Sequence, residues 1–332
     1  MKIGENTSIS VIIPAFNAEG TIGKAVDSVL KQTIPIHEII LIDDGSTDRT
    51  AILCDAFEKQ FKSVRVIHTG NRGAAAARNT GLEAATGSLI GFVDSDDRIE
   101  PQMYEVLSGA MIENDADLSA CGVIQETEYG SFPDRDQDGK TEISEGTECY
   151  RAVSASSGVR GYFWNKLFKK DLIRNQIDET VLQCEDLLFL AQYLKSVRKI
   201  AYVRKPLYHY KRVEKAGHEY GHRELSLIDA YEKILGIYLE EAPEYAPFIE
   251  YKVLKIYLNY RARSRIVSEK DPVIIKRIDS GVRSHFRQVL FSADVPLPGK
   301  ANICFTYLLP GISVKLKKHI LSRRHEKGQW ES

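Results

Sequence analysis

Two carboxylates directly follow an apolar segment in the first third of the chain. Asp94 and Asp96 come after residues 88–93, which lack the polar alternation of a half-exposed strand and are typical of a strand buried on both faces. Residues two apart in an extended chain point to the same side, so the two carboxylates can converge on one divalent cation while Ser95 faces away. The spacing indicates a metal site that can grip a diphosphate. An Asp-x-Asp pair taken alone fits a polar turn better, so the prediction depends on its surroundings.

Polar residues also end two earlier apolar runs. One run ends in the segment 14–17 and the other in Asp43 and Asp44. Open α/β sheets bind ligands at the carboxyl ends of their parallel strands, so these segments should meet Asp94 in one crevice. A nucleotide would fit there with its base near Asp43 or Asp44 and its phosphates near the metal. For each acid, the alternative is a helix cap or a surface turn.

Predicted strands and helices alternate along the part of the chain that carries these residues. Short apolar runs and helix-period segments follow one another through the first hundred or so residues, as in βαβ units with a parallel sheet. Arg78 falls in an Ala-rich helix before the fourth strand and is a candidate for binding the nucleotide or its diphosphate. Strands are predicted at residues 8–14, 38–43, 64–68, 89–94, 117–123 and 200–203. Helices are predicted at residues 19–32, from the Asp48 cap to about Phe61, at 73–85, and onward from Pro101 and Glu185.

Two further regions are defined by their composition. Residues 125–146 are polar and predict a mobile loop or a hairpin tip. Beyond about Gly217 the pattern is mainly helical, so we expect two domains, residues 1–216 and residues 217–332. A chain of 332 residues is long enough to give each domain its own core.

The overall charge argues against a nucleic-acid partner, and the cysteine pattern argues against a disulfide-bonded protein. Lys and Arg number 45 against 46 Asp and Glu. The protein therefore has no excess of positive charge that would attract a nucleic acid. Five widely spaced cysteines without a Cys-x-x-Cys pair fit reduced thiols. No apolar stretch has the length of a signal peptide or a membrane span. We therefore expect a cytoplasmic protein, with at most a peripheral contact at the inner face of the cell membrane.

Six motifs follow one another with a specific order and spacing. They are Pro14-Ala-Phe-Asn17, Asp43-Asp-Gly-Ser-Thr-Asp48, Gly73 through Gly81, Asp94-Ser-Asp-Asp97, Trp164-Asn-Lys-Leu-Phe168 and Cys184-Glu-Asp-Leu-Leu-Phe189. Over roughly residues 7 to 212 the chain thereby resembles the inverting family-2 glycosyltransferases of bacterial polysaccharide or glycoconjugate synthesis. The resemblance implies a GT-A fold, a Rossmann-like α/β architecture with a mostly parallel central sheet flanked by helices. Cys184 departs from the usual Gly of relatives, which we expect to alter local packing rather than chemistry.

The resemblance also implies roles for individual residues. Asp94 and Asp96 would hold Mn²⁺ or Mg²⁺ and the diphosphate of a UDP-sugar donor, and Asp186 would be the catalytic base. Glu185 would either support the base or the acceptor, or be an acid favoured at a helix N-terminus. The predicted donor contacts are Pro14, Ala15, Phe16, Asn17, Glu19, Asp43, Asp44, Arg78, Asp94 and Ser95.

The expected reaction follows from the weakness of the nucleophile. A sugar hydroxyl attacks poorly at neutral pH, so a carboxylate, here Asp186, must take its proton, an effect of about 10²–10⁴-fold in rate. A divalent metal would stabilise the charge that develops on the leaving diphosphate. Single displacement inverts the anomeric centre, so an α-linked donor of a hexose or N-acetylhexosamine gives a β-linked product.

The acceptor side and the histidines carry weaker signals. Trp164, Asn165 and Lys166 resemble an acceptor-side motif, in which Trp164 is either a sugar-stacking wall or a core residue. Some GT-A enzymes have a metal-binding histidine after the last strand, which makes His209 and His218 candidates. A packed or exposed histidine is the alternative for each. The acceptor would be a saccharide, polyprenyl-linked or carried by a glycoprotein.

The C-terminal end of the chain is basic. Residues 300–332 contain seven Lys and Arg against two Glu, next to the apolar run 303–310. This pattern suits docking on an anionic membrane surface. The alternatives are a solvated helix packed on the rest of the protein, a homodimer contact, or a site for an acidic protein acceptor.

Three other functions are weighed against glycosyl transfer. A sugar-nucleotide pyrophosphorylase needs a Gly-rich, basic loop after the first strand, and a dinucleotide dehydrogenase needs G-x-G-x-x-G there. The segment 14–17 has neither. A non-catalytic glycan-binding or scaffold subunit could keep the fold, but the joint presence of Asp94, Asp96 and Asp186 argues against it.

Overall fold

The computed structural model of the protein describes residues 7–133, 138–155, 158–212, 222–267 and 271–309. The chain divides into two compact units, Met1–Glu179 with Glu185–His218, and Thr180–Cys184 with Glu219–Ser332. The sequence pattern predicts a domain boundary after residue 216, and it does not anticipate that residues 180–184 belong with the second unit.

The first unit is built on one mixed sheet. Its strands are Ile9–Ala15 (β1), Glu38–Asp43 (β2), Val64–His68 (β3), Leu89–Phe92 (β4), Arg98–Ile99 (β5), Leu118–Thr127 (β6), Gly130–Pro133 (β7), Thr141–Glu145 (β8), Lys166–Lys169 (β9) and Lys199–Lys211 (β10). They lie in the order β3-β2-β1-β4-β9-β6-β10-β5, with β7 paired to β6 and β8 to β10. The β3-β2-β1-β4 half is parallel, and β9 runs antiparallel between β4 and β6. The carboxyl ends of β1, β2 and β4 therefore share one edge.

Helices connect and cover the strands of this sheet. They are Ile22–Leu30 (α1), Thr50–Gln60 (α2), Ala74–Ala84 (α3), Met103–Asn114 (α4), Glu148–Ser154 (α5) and Glu185–Tyr193 (α6), with short 3-10 turns at Lys170–Leu172 and Leu194–Ser196. Helix α1 buries one apolar face, formed by Ile22, Ala25, Val26 and Val29, against the sheet core. This is the face that its 3.6-residue periodicity predicts.

The predicted elements are present, and two regions differ from prediction. The polar segment 125–146 contains the hairpin that was one of its two predicted forms, because β6 continues to Thr127 and pairs with β7. It also contains β8, a strand that the sequence pattern does not predict and that pairs with β10. Strand β10 extends to Lys211, far beyond the predicted 200–203, because its register with β6 shifts on both sides of Pro206. An irregularity of this kind accommodates a proline, which cannot donate a ladder hydrogen bond.

The second unit is mainly helical in its described residues. Its helices are His222–Glu241 (α7), Ala246–Val267 (α8), Pro272–Phe291 (α9) and Leu297–Leu308 (α10). Helix α9 begins after Asp271, whose carboxylate accepts a hydrogen bond from the Val273 amide at 2.8 Å, and has a proline at its start, both common at helix N-termini. None of the helices in the described ranges is long and apolar enough to span a bilayer. The basic residues 310–332 lie outside the described part of the chain.

A close approach in the first unit gives a stability prediction. Gly91 of β4 pairs with Val11 and Leu167, and a Cβ atom there would lie 2.7 Å from the Cε1 of the buried Tyr104 ring. We expect Gly91→Ala to lower the free energy of unfolding by about 1–3 kcal/mol, because the core must repack. Chemical denaturation measures this change. The matched control is Gly109→Ala, whose Cβ meets no atom within 4 Å, and an equal loss in both variants would contradict the prediction.

Candidate active site

Arg78 is the ionic centre of the candidate site. Its Nη2 lies 2.8 Å from Asp94 Oδ1 and its Nη1 lies 3.4 Å from Glu185 Oε1, while its guanidinium carbon lies 5.0 Å from the centre of the Phe163 ring. The Arg78 side chain is only 8% exposed. Burial lowers the pKa of Arg78, but the charges of Asp94 and Glu185 outweigh burial and raise it. Three segments far apart in the chain are thus joined by one buried cation.

The predicted Asp-x-Asp turn contains acids of two kinds. Asp96 is exposed and Asp94 is partly exposed, whereas Asp97 is buried. The Asp94 amide donates to the Tyr208 hydroxyl at 3.1 Å, and that hydroxyl donates to Asp97 Oδ2 at 2.8 Å. Burial, followed by the charge of Asp94, raises the pKa of Asp97 to about 8. Asp97 therefore ties the turn to β10, and Asp94 and Asp96 are the acids directed to solvent.

A cavity of about 500 Å³ opens beside this turn. It lies at the carboxyl ends of β1, β2 and β4, where the parallel strands predict a ligand crevice. Among the predicted residues, its walls include Pro14, Ala15, Phe16, Asn17, Asp44, Arg78, Asp94, Ser95 and Asp96. The structure thus brings most of the predicted donor contacts and both carboxylates predicted to hold the metal to one cavity.

The two acids after β2 have different surroundings. Asp44 accepts hydrogen bonds from the amides of Arg72 and Gly73 at 3.0 and 2.7 Å and contributes to the cavity wall. Asp43 is turned toward His68, whose Nδ1 lies 2.9 Å from its Oδ2, and it is absent from the cavity wall formed by described residues. The sequence left the choice between these acids open, and the geometry favours Asp44 for contact with a ligand.

Asn17 and Glu19 hold the loop after β1 in shape. Asn17 has φ +48°, a left-handed conformation that Asn tolerates better than most residues. Its Oδ1 accepts from the Thr47 amide at 2.8 Å. Glu19 Oε2 accepts from the Arg49 amide at 3.0 Å and is not among the described cavity-wall residues. Glu19 therefore supports the start of α2.

Asp186 lies in the first turn of α6 and is partly buried. Its Oδ1 accepts a hydrogen bond from the Leu187 amide at 2.8 Å. Burial, followed by the charge of Glu185, raises the pKa of Asp186 to about 7, while that amide, Arg78 and Lys166 act to lower it. A carboxyl with this pKa can exchange a proton near neutral pH. The neighbouring Cys184 has φ +62°, a conformation that favours glycine.

The predicted acceptor motif points largely into the protein. Asn165 and Lys166 have no exposed surface. Lys166 Nζ donates to Val159 O and to Asn165 Oδ1, both at 2.7 Å, and Asn165 Nδ2 donates to Cys121 O at 2.7 Å. These two side chains therefore do not contact an acceptor, because β9 runs through the middle of the sheet. Trp164 is 6% exposed and belongs to the core cluster.

Of the two candidate histidines, His209 lies within the described residues. His209 is buried, and its ring nitrogens lie 2.9 Å from Glu126 Oε1 and 2.6 Å from Glu100 Oε1. Both nitrogens are engaged, so this geometry does not fit the predicted metal role. His218 lies outside the described residues. Within the described ranges, no group of three or more acids, histidines and cysteines is arranged to hold a metal ion by itself.

Sequence reasoning missed two aromatic residues beside the site. Tyr208 supports the Asp94 turn, and Tyr210 stacks on Trp164 with ring centres 5.3 Å apart. Alternating tyrosines after a strand point to one face, and this spacing was the available signal. The sequence pattern predicts that the last strand ends at residue 203, so both tyrosines fall outside the predicted strand.

Solved structures with a similar fold include complexes of S. aureus TarS. The crystal structure of S. aureus TarS 1-349 in complex with UDP superposes with a TM-score of 0.68 at 18% identity, covering 98% of this chain and 93% of that chain. The complex of TarS 1-349 with UDP-GlcNAc gives a TM-score of 0.63. At this identity the likeness establishes the fold. The predicted GT-A fold is therefore confirmed.

The sequence comparisons identify the family. Residues 10–184 match the model of glycosyl transferase family 2, and the chain belongs to this family of enzymes. The uncharacterized glycosyltransferase YibD of Escherichia coli is 28% identical over 309 residues, 85% of this chain and 90% of that protein. The uncharacterized glycosyltransferase EpsJ of Bacillus subtilis is 30% identical over 217 residues, 61% of this chain and 60% of that protein.

The buried Lys166 generates a pH prediction. Its positive charge lowers the pKa of Asp186, so Lys166→Met should raise that pKa above about 7. As the pH falls, Asp186 would then take up its proton at a higher pH. An activity that needs ionised Asp186 should have the acidic limb of its pH–rate profile moved upward by less than about 1 pH unit. A pH titration of the ¹³C chemical shift of the Asp186 carboxyl measures the same change in pKa without any enzymatic turnover. The signal is assigned by its absence in Asp186→Asn.

Lys169→Met is the matched control for this experiment. Lys169 lies on the same strand, but its amine pairs with Asp117 at 2.8 Å. The control should leave the pKa of Asp186 unchanged. Equal titration curves for Asp186 in the parent and in Lys166→Met would contradict the prediction.

Proposed function

We propose that the protein is a metal-dependent inverting glycosyltransferase that transfers a hexose or N-acetylhexosamine from a UDP-sugar to a saccharide acceptor, lipid-linked or protein-linked. The observation that supports this most directly is the pairing of Arg78 with both Asp94 and Glu185. This pairing joins a cavity suited to a nucleotide to the segment that carries the proposed base. Asp186 is adjacent in the chain to the paired Glu185.

The donor would bind in the cavity beside the Asp94 turn. A volume of about 500 Å³ is in the range of pockets for small ligands. The Nε of Arg78 is buried and has no hydrogen-bond acceptor within the described residues, and an anionic diphosphate would satisfy such a donor. The TarS complexes with UDP and UDP-GlcNAc support a uridine nucleotide as the ligand.

The acids present fit a divalent cation that is shared with the donor. Mg²⁺ and related hard ions are commonly held by one or two carboxylates together with substrate phosphates and waters. Asp94 and Asp96 both contribute to the cavity wall and would be those two carboxylates. A bound Mn²⁺ or Mg²⁺ would supply positive charge where negative charge develops on the leaving diphosphate.

Asp186 would act on the acceptor. It would accept the proton of the attacking hydroxyl while the new bond from oxygen to the anomeric carbon forms and the bond to the diphosphate breaks. Its pKa of about 7 lets it be ionised before attack and protonated afterwards at neutral pH. Arg78 would keep Glu185 and Asp94 fixed on either side, so that donor and base hold a constant separation.

The role of Asp186 is tested by UDP release from a panel of UDP-sugars with Mn²⁺, in the presence and absence of saccharide acceptors. We expect Asp186→Asn to lower the transfer rate by about 10²–10⁴-fold, the usual contribution of a positioned base. UDP binding should persist in this variant, because Asp186 acts on the acceptor. The exposed Asp171→Asn is the matched control. A variant that transfers as fast as the parent would remove Asp186 from the mechanism.

The metal is tested by thermal unfolding with UDP. A ligand at a hundredfold excess over its Kd stabilises a protein by about 2.7 kcal/mol, so UDP with Mn²⁺ should raise the Tm of the parent measurably. UDP with EDTA should give little increase, and Asp94→Ala and Asp96→Ala should abolish the metal-dependent part. Equal increases with Mn²⁺ and with EDTA would contradict metal-dependent donor binding.

A further inference from the structure

Four aromatic rings form a stack beside the candidate site. The Trp164 ring lies 4.3 Å from Tyr208, 4.6 Å from Tyr162 and 5.3 Å from Tyr210, measured between ring centres. Its planes are within 9° of Tyr162 and 4° of Tyr210. Near-parallel stacking of this kind holds each ring in a fixed orientation.

The stack runs from the interior to the surface. Tyr208 has no exposed surface and Trp164 is 6% exposed, whereas Tyr210 is 37% exposed. Residues two apart in a strand lie on the same face, so Tyr208 and Tyr210 of β10 both meet Trp164. One face of the partly exposed Tyr210 ring therefore packs on the buried indole of Trp164. Because the Tyr210 side chain is already held in one orientation, it loses little conformational entropy when a ligand binds.

The stack is attached to the site that would hold the donor. Tyr208 accepts a hydrogen bond from the Asp94 amide at 3.1 Å. Burial, followed by the charges of Asp97, Tyr162, Asp94 and Asp96, raises the pKa of Tyr210. The Tyr210 hydroxyl therefore keeps its proton at neutral pH. It is an uncharged hydroxyl that can both donate and accept hydrogen bonds.

We propose that the exposed ring of Tyr210, fixed by Trp164, is the platform on which a pyranose ring of the saccharide acceptor stacks. This inference rests on the proposed function and names a specificity-determining residue for it. A pyranose presents one face of C–H bonds and a rim of hydroxyls, so it suits an apolar ring that carries a polar edge. The sugar-stacking role considered for Trp164 thus moves to Tyr210, because Trp164 is covered.

The test uses saturation-transfer difference NMR on the full chain with UDP and Mn²⁺. The probes are methyl glycosides of glucose, galactose, N-acetylglucosamine and N-acetylgalactosamine and their β-linked disaccharides. We expect at least one probe to receive saturation on one face of its ring. Tyr210→Ala should weaken its binding by about three- to tenfold, the range for a lost aromatic contact, and Tyr210→Phe should retain most of it.

Ile52→Ala is the matched control, because Ile52 is an apolar side chain on α2 with 64% exposure. It should leave the probe signals unchanged. The UDP-dependent rise in Tm is measured for every variant to confirm that each one folds. The proposal is overturned if the probes bind Tyr210→Ala as they bind the parent, if no probe contacts the parent, or if Tyr210→Ala loses UDP binding.

The two hypotheses fail in different ways. If UDP-sugars are turned over and the probes do not depend on Tyr210, the platform is wrong and the proposed function stands. If no UDP-sugar is turned over while the probes still require Tyr210, the chain binds saccharides on this ring without the proposed transfer.

Discussion

The buried guanidinium of Arg78 is the constraint on which the site depends. A charge removed from water is costly unless it is paired and hydrogen-bonded, and Arg78 is paired with Asp94 and Glu185. These acids come from the turn after β4 and from the start of α6, so the ion pairs require two distant segments to approach α3. Loss of either acid would leave an incompletely compensated charge in the interior. The geometry of the cavity is therefore coupled to the folding of the sheet and does not depend on loop conformation alone.

Tyr208 extends this coupling to the opposite side of the Asp94 turn. Its hydroxyl links the Asp94 amide to the Asp97 carboxylate, and Asp97 also accepts from the Lys211 amide at 2.7 Å. The end of β10 is thereby fixed to the turn after β4. Because Tyr210 lies two residues further along the same strand, its exposed ring is held in register with the acids. The Asp94 turn and the Tyr210 ring are thus both held in place by the sheet.

The sequence predicts the site better on its parallel half than on its antiparallel half. The strand ends, the acids after β2 and β4, and Arg78 follow from apolar runs and local motifs, and they meet because parallel strands share an edge. The role of the Glu185-Asp186 pair is implied by the family resemblance alone. Asn165 and Lys166 could not be assigned in this way, since β9 inserts antiparallel between β4 and β6 and the pairing is non-local. His209 likewise pairs with acids from distant segments, namely Glu100 and Glu126. The place of Tyr210 in β10 could not be predicted, because a proline usually indicates the end of a strand. Here the shift of register at Pro206 lets β10 continue.

The adjacent acids Glu185 and Asp186 differ in their electrostatic surroundings. Glu185 forms an ion pair with a buried cation, and Asp186 has a raised pKa. Glu185 faces Arg78 at 3.4 Å, and its negative charge, after burial, is the next cause of the raised pKa of Asp186. Lys166 acts in the opposite direction from inside the sheet, where burial lowers its own pKa to about 7. The proton affinity of Asp186 is thus set by an acid beside it and by a buried cation that a ligand need not touch. Acid–base roles are often assigned to acids whose surroundings differ in this way. The proposed base, Asp186, is the carboxyl of this pair that Arg78 does not bind directly.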